Sequence, residues 1–126
     1  MSSIVRVTSP EVPEPPPGTW SNCLVVNGIA YFAGGTAKGD DEYTQAKAIF
    51  AKLKHLIEAA GGAMADIVKV TIFVTDIKNR EGVWKARQEY FTGNFPASTL
   101  VQVAALATPD LKVEIEAVAH IGASKR

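Results

Sequence analysis

Two glutamates two residues apart, Glu114 and Glu116, stand inside an otherwise apolar run, Lys112-Val113-Glu114-Ile115-Glu116-Ala117-Val118-Ala119. The run reads as a strand, and side chains alternate faces along a strand. Both carboxylates therefore share one face, while Val113, Ile115 and Ala117 share the other. Two like charges on an apolar element need solvent, partners or a cleft. Burial and mutual repulsion raise a carboxylate's pKa towards the range useful for acid–base work. The plainer alternative is a pair of solvated or structural acceptors.

No second catalytic constellation competes with this pair. Ser98 has no histidine or lysine nearby in the sequence to activate it, so a nucleophilic serine is not indicated. His55 lies among Lys52, Lys54 and Glu58 on what reads as a solvated helix face. His120 has no cysteine or histidine at ligand spacing, so no metal is expected. Gly34-Gly35 and Gly61-Gly62 match neither phosphate-loop nor dinucleotide patterns, and no cofactor is expected. The lone Cys23 forms no internal disulfide and reads as a small buried hydrophobe.

The elements that must position these groups follow from periodicity. Residues 4–8 alternate as a short strand, and residues 9–18 hold five of the seven prolines, which makes them an extended loop across the surface. Leu24-Val25-Val26 and Ile29-Ala30-Tyr31-Phe32-Ala33 flank Asn27-Gly28, a hairpin signal. Asp40 or Asp41 caps a helix whose apolar stripe is Ala46, Phe50, Leu53, Ile57 and Ala60, widened by Ile49 and Leu56, and Gly61-Gly62 ends it. Residues 67–75 form a β-branched strand, residues 81–91 a second helix, and Pro96 leads into a last pair of strands. Leu100, Val101, Val103, Val113 and Ile115 offer more apolar strand surface than two helices can cover, so a homo-oligomer is expected.

Composition sets the outer limits. The 126 residues make one domain, 1–126, 47% hydrophobic and 21% charged, with thirteen acidic residues balancing thirteen basic ones. That neutrality gives no field to draw in a phosphate backbone, so no nucleic-acid partner is expected. No apolar run reaches the ~20 residues of a membrane span. The start shows no signal-peptide pattern, and a cytoplasmic, membrane-free protein is expected.

Across residues 20–119 the chain resembles the RidA (YjgF) family of small trimeric proteins, many of which hydrolyse reactive enamines and imines. The matching segments are Phe95-Pro96-Ala97, Val101-Gln102-Val103-Ala104-Ala105-Leu106, Val113-Glu114-Ile115-Glu116-Ala117, Ile57-Glu58-Ala59-Ala60-Gly61 and Asp66 through Asp76. The resemblance implies an α+β, chorismate-mutase-like fold: a mixed six-stranded sheet with two helices on one face, assembled as a homotrimer with small-molecule clefts between subunits. It also implies that Glu114 lies in that cleft and positions or activates water. Active deaminases of the family carry an arginine directly after the Pro-Ala pair, where it grips a substrate carboxylate; this chain has Ser98. Leu100 stands where they carry cysteine, Trp20 where they carry tyrosine, and Trp84 where many carry asparagine. Ala33-Gly34-Gly35 replaces Ser-Gly-Gln, keeping the glycine. A serine hydroxyl does not replace a charged, bidentate fork.

These positions make a candidate site of Glu114 as catalytic group, with Ser98, Trp20, Gly34, Trp84, Leu100, Ala97 and Arg87 as ligand-binding residues. Arg87 enters because it lies three residues after Trp84, on the same helix face, and could restore the missing charge. The tryptophans read equally well as packing residues, and Arg87 as a solvated one. The reaction expected is enamine or imine hydrolysis with release of ammonia, its substrate class shifted by Ser98; an aminomuconate-type deaminase is one form of it. The alternative is a trimer that binds a metabolite without turning it over. An endoribonuclease or translation inhibitor ranks last.

Overall fold

The structure, a computed structural model, describes residues 3–125. Its strands are β1 (Val5–Arg6), β2 (Cys23–Val26), β3 (Ile29–Gly35), β4 (Ile67–Val74), β5 (Ala97–Gln102) and β6 (Val113–His120); its two α-helices are α1 (Glu42–Ala59) and α2 (Arg80–Tyr90). All six strands join one sheet in the order β1-β2-β3-β6-β4-β5. The β4–β5 pair is parallel and the rest are antiparallel, so the sheet is mixed. A parallel neighbour cannot be reached by a tight turn, and α2 supplies the crossover from β4 to β5.

Local chemistry explains the joints. Asn27 and Gly28 both take positive φ, 51° and 76°, as a two-residue hairpin with native strand twist requires. The Asp41 carboxylate accepts the Thr44 amide at 2.8 Å and caps α1. At its other end Gly61, at φ 87°, lets the Gly62 amide reach back to the Ile57 carbonyl at 2.8 Å. Buried Gln45 ties the loop before β6 to α1. Its amide donates to the carbonyls of Gly39 (2.9 Å) and Asp110 (3.0 Å) and accepts from the Lys112 amide (2.8 Å).

The core lies between the helices and one face of the sheet. Ala46, Ile49, Phe50, Leu53, Leu56 and Ile57 of α1 and Val83 and Ala86 of α2 are buried with Val70, Ile72, Val74, Val113, Ile115 and Ala117 of the central strands. Burying each of these larger aliphatic side chains contributes about 1.5–3 kcal/mol. Val113 and Ile115 therefore lie under the helices and are not surplus apolar surface. The face turned away from the helices carries Leu24, Tyr31, Phe73, Val101 and Val118 among the polar Lys69, Thr71, Thr99, Glu114 and Glu116. Of these Tyr31 is 49% and Val101 39% exposed.

The expected strand at residues 4–8 contracts to Val5–Arg6, paired with Val25 and Leu24. The proline loop explains the contraction: it leaves the sheet almost at once, and Val12 turns back into the core.

Candidate functional site

Glu114 lies on the helix-free face of β6, paired across β4 with Phe73, while Glu116 pairs with Thr71. Its other neighbour is the irregular end of β3, where the β3–β6 register shifts between Phe32 and Gly35. The Glu114 carboxyl occupies the space that a side chain at Gly34 would need: a Cβ there would meet Glu114 Oε2 and stand 2.8 Å from its Cδ. A side chain at position 34 would therefore displace the Glu114 carboxyl, by close approach rather than by φ. Burial first, and the charge of Glu116 second, raise the Glu114 pKa above the usual glutamate value. No side chain among the described residues hydrogen-bonds the carboxylate to offset this. A half-buried carboxylate, proton affinity raised and acceptor sites open, can hold a water and take its proton.

Ser98 and Leu100 lie on the opposite face of the sheet, on the edge strand β5. They pair with the buried Val70 and Ile72 of β4, so their side chains point to the helix side. There α2 brings Arg87 to them: its Nη1 donates to Ser98 Oγ at 2.9 Å. Partial burial lowers the Arg87 pKa, leaving it a cation in any ordinary medium. Spacing along α2 predicts that Arg87 and Trp84 share a helix face, and the hydrogen bond to Ser98 adds the contact that spacing could not supply. Trp84 is 37% exposed, with the Arg80 guanidinium 5.4 Å from its ring centroid. Ala97 opens β5, exposed, opposite Lys69.

Trp20 belongs with Gly34 rather than with Trp84. Both line a cavity of ≈ 220 Å³ between the proline loop, the end of β3 and α1. The candidate residues therefore form two groups in one protomer: Glu114, Gly34 and Trp20 around the end of β3, and Arg87, Ser98 and Leu100 at the β5 edge, with Trp84 on α2 beside Arg80. The sheet separates Glu114 from Ser98 and Leu100.

His55 is exposed on α1 and His120 exposed at the end of β6. No group of three or more potential metal ligands occurs among the described residues, and no helix of the described residues is long and apolar enough to cross a membrane. Two residues have roles that their sequence neighbourhood does not signal. Lys52, on α1, lines the Trp20 cavity instead of a solvated face. Asp66, which reads as a strand-leading acid, is 1% exposed and accepts the amides of Ala63 (3.0 Å), Gly122 (2.9 Å) and Ser124 (2.9 Å). Its only local signal is the Gly-Gly-Ala-Met-Ala-Asp turn, because two of its partners are more than fifty residues away.

The chain is thus an α+β protein with a six-stranded mixed sheet, two helices on one face and a glutamate against a glycine at an irregularity in the sheet. Residues 12–121 match the family model described as endoribonuclease L-PSP. A protein of unknown function from Pseudomonas aeruginosa is 36% identical, with a TM-score of 0.89 over 97% of this chain and 95% of that one. RidA from the Antarctic bacterium Psychrobacter is 27% identical, with a TM-score of 0.84 over 93% and 99% of the two chains. The TdcF protein of Escherichia coli, with serine bound, is 25% identical, with a TM-score of 0.82 over 90% and 96%. The chain belongs to the RidA (YjgF) family.

Proposed function

We propose that this protein hydrolyses an enamine or imine bearing a carboxylate, releasing ammonia, at clefts between the subunits of a homotrimer. The observation that carries the reading is the 2.9 Å hydrogen bond from Arg87 to Ser98. It puts a guanidinium beside the strand position where deaminating relatives carry theirs, delivered from α2 instead of β5. Ser98 then holds one donor of Arg87 in place and leaves the rest of the fork for a carboxylate.

In this reading the Arg87 edge of one subunit faces the Glu114 end of its neighbour. Glu114 accepts a proton from water as the oxygen adds to the C=N carbon. Glu114 hands that proton to nitrogen to complete the carbinolamine, then carries the hydroxyl proton to the same nitrogen as the C–N bond breaks, and a carbonyl compound and ammonia leave. An enamine first takes a proton at carbon to become the imine, with no net change of oxidation state. Ala97 and Gly34 contribute backbone to the walls, and Trp84 and Leu100 an apolar border. Capture of serine by a neighbour of 25% identity supports a small carboxylate-bearing ligand. A ribonuclease reading finds little support in a chain of zero formal charge with its histidines outside the candidate site.

Ammonia release from freshly generated imines and enamines tests the proposal, with a panel that spans alanine-like, aromatic and aminomuconate-type compounds. Glu114→Gln is expected to lower turnover about 10²–10⁴-fold and to spare ligand binding. Arg87→Ala is expected to raise KM for carboxylate substrates at least tenfold. A folded trimer that binds these ligands without releasing ammonia from any of them would establish the binding-only alternative. A monomer in sedimentation at micromolar concentration would remove the intersubunit cleft altogether.

A further inference from the structure

We infer that the cavity beneath the proline loop is a second anion-anchoring pocket, in which Lys52 holds the carboxylate of a planar, apolar ligand tail. This deepens the proposed function by naming a ligand class, and it rests on that reading only in treating the cavity as the far end of the same cleft. The cavity's floor is apolar, made by Ile49, Leu53 and Leu56 of α1, and the Trp20 indole lines it as well. Its β3 wall includes Gly34 and Gly35, which contribute backbone alone. At ≈ 220 Å³ it exceeds the about 150 Å³ that admits a benzene ring in an engineered protein cavity, leaving room for a carboxylate as well.

Charge decides what such a ring would carry. Lys52 is half-buried at this cavity, and its Nζ donates one hydrogen bond, to the Thr36 carbonyl at 2.8 Å. Two of its three donors stay open, and no carboxylate lies within ion-pairing distance among the described residues. Glu14 also lines the cavity, but its carboxylate is held by Arg6 at 2.8 Å. A held lysine lacking a counter-ion, above an aliphatic floor and beside an indole, favours an unsaturated or aromatic carboxylate over a neutral or cationic molecule. With Arg87 gripping one carboxylate at the far side of the cleft, Lys52 would select substrates that carry a second one.

Sorbate (hexa-2,4-dienoate) and its neutral amide, titrated into the full chain carrying Trp84→Phe so that Trp20 is the sole tryptophan reporter, test this directly. Sorbate is expected to quench Trp20, with Kd rising at least tenfold in Lys52→Met and returning towards the starting value in Lys52→Arg. The amide should bind both forms equally. Sorbate affinity unchanged in Lys52→Met but lost in Arg87→Ala would overturn the Lys52 pocket and leave the proposed hydrolase intact. Affinity lost in Lys52→Met while ammonia release is absent from every substrate would retain the pocket and overturn the hydrolase. Equal losses for acid and amide in Lys52→Met would mean that the methionine merely blocks the space, and would overturn the charge assignment.

Discussion

Asp66 and Glu114 are both carboxylates withdrawn from solvent, and their surroundings push them in opposite directions. Burial alone would raise the Asp66 pKa, but hydrogen bonds from Ser124, Gly122 and Ala63 outweigh it and hold the carboxyl at about 2. Glu114 is raised by burial and by Glu116, with no donor among the described residues to offset either. Asp66 has spent its acceptor capacity on the chain, tying the turn before β4 to the C-terminal segment after β6. Glu114 has kept its capacity and has a like charge beside it. The pair shows how one functional group becomes a staple where the backbone supplies donors and an acid of raised proton affinity where it does not.

The comparison breaks most visibly through stability. Asp66→Ala leaves buried amides unpaired and should cost about 2–3 kcal/mol in denaturant unfolding. Glu114→Gln removes a repelled, partly desolvated charge and should cost nothing measurable in the same experiment. The pH dependence follows with its sign. The folded-state pKa of Asp66 is depressed, so its contribution is fully present above the unfolded value near 3.8 and is lost as pH falls towards about 2. The wild type should therefore lose stability over that window more steeply than Asp66→Asn. Equal slopes would deny Asp66 its role as a staple.

A smaller effect is expected from Gly34→Ala. The new methyl would claim the place of the Glu114 carboxyl, and turnover should fall about tenfold, a loss of about 1.4 kcal/mol, while unfolding barely changes. An alanine variant with full turnover would mean that the Glu114 position over Gly34 is irrelevant to the chemistry.

The smallest effect sharpens the electrostatics. Proton acceptance requires ionised Glu114, so kcat/KM should fall as pH drops through its raised pKa. Removing the second contributor to that rise, with Glu116→Gln, should move this acidic limb to lower pH. A limb that stays put would assign it to another group.

Much of this is legible in the sequence because it is local. Asn27-Gly28 forms its hairpin through backbone angles that those two residues tolerate, and Asp41 and Gly61 bound α1 through atoms a few residues away. The alternation that places Glu114 and Glu116 on one face is a property of any strand. The resemblance to the RidA family, carried by contiguous segments, brought the sheet and its two helices with it. The illegible part is made by contacts between distant residues. Arg87 pairs with Ser98 across the β4–α2–β5 crossover, Gln45 with Asp110 and Lys112 across sixty-five residues or more, and Asp66 with a turn near the C-terminus. Lys52 looked like one lysine among several on a polar helix face; the proline loop folding over α1 turned it into the wall of a cavity.

By itself, then, the sequence determined the element order, the helix caps, the hairpin and which side of β6 bears its two acids, since short-range sterics and a period of two or 3.6 residues decide those. The tertiary structure alone decided that Glu114 would rest against Gly34 with no donor among the described residues, that Arg87 would stand at Ser98, and that Lys52 and Trp20 would line one cavity. Desolvation and hydrogen bonding depend on which distant atoms come within about 3–4 Å, and no local rule carries that information.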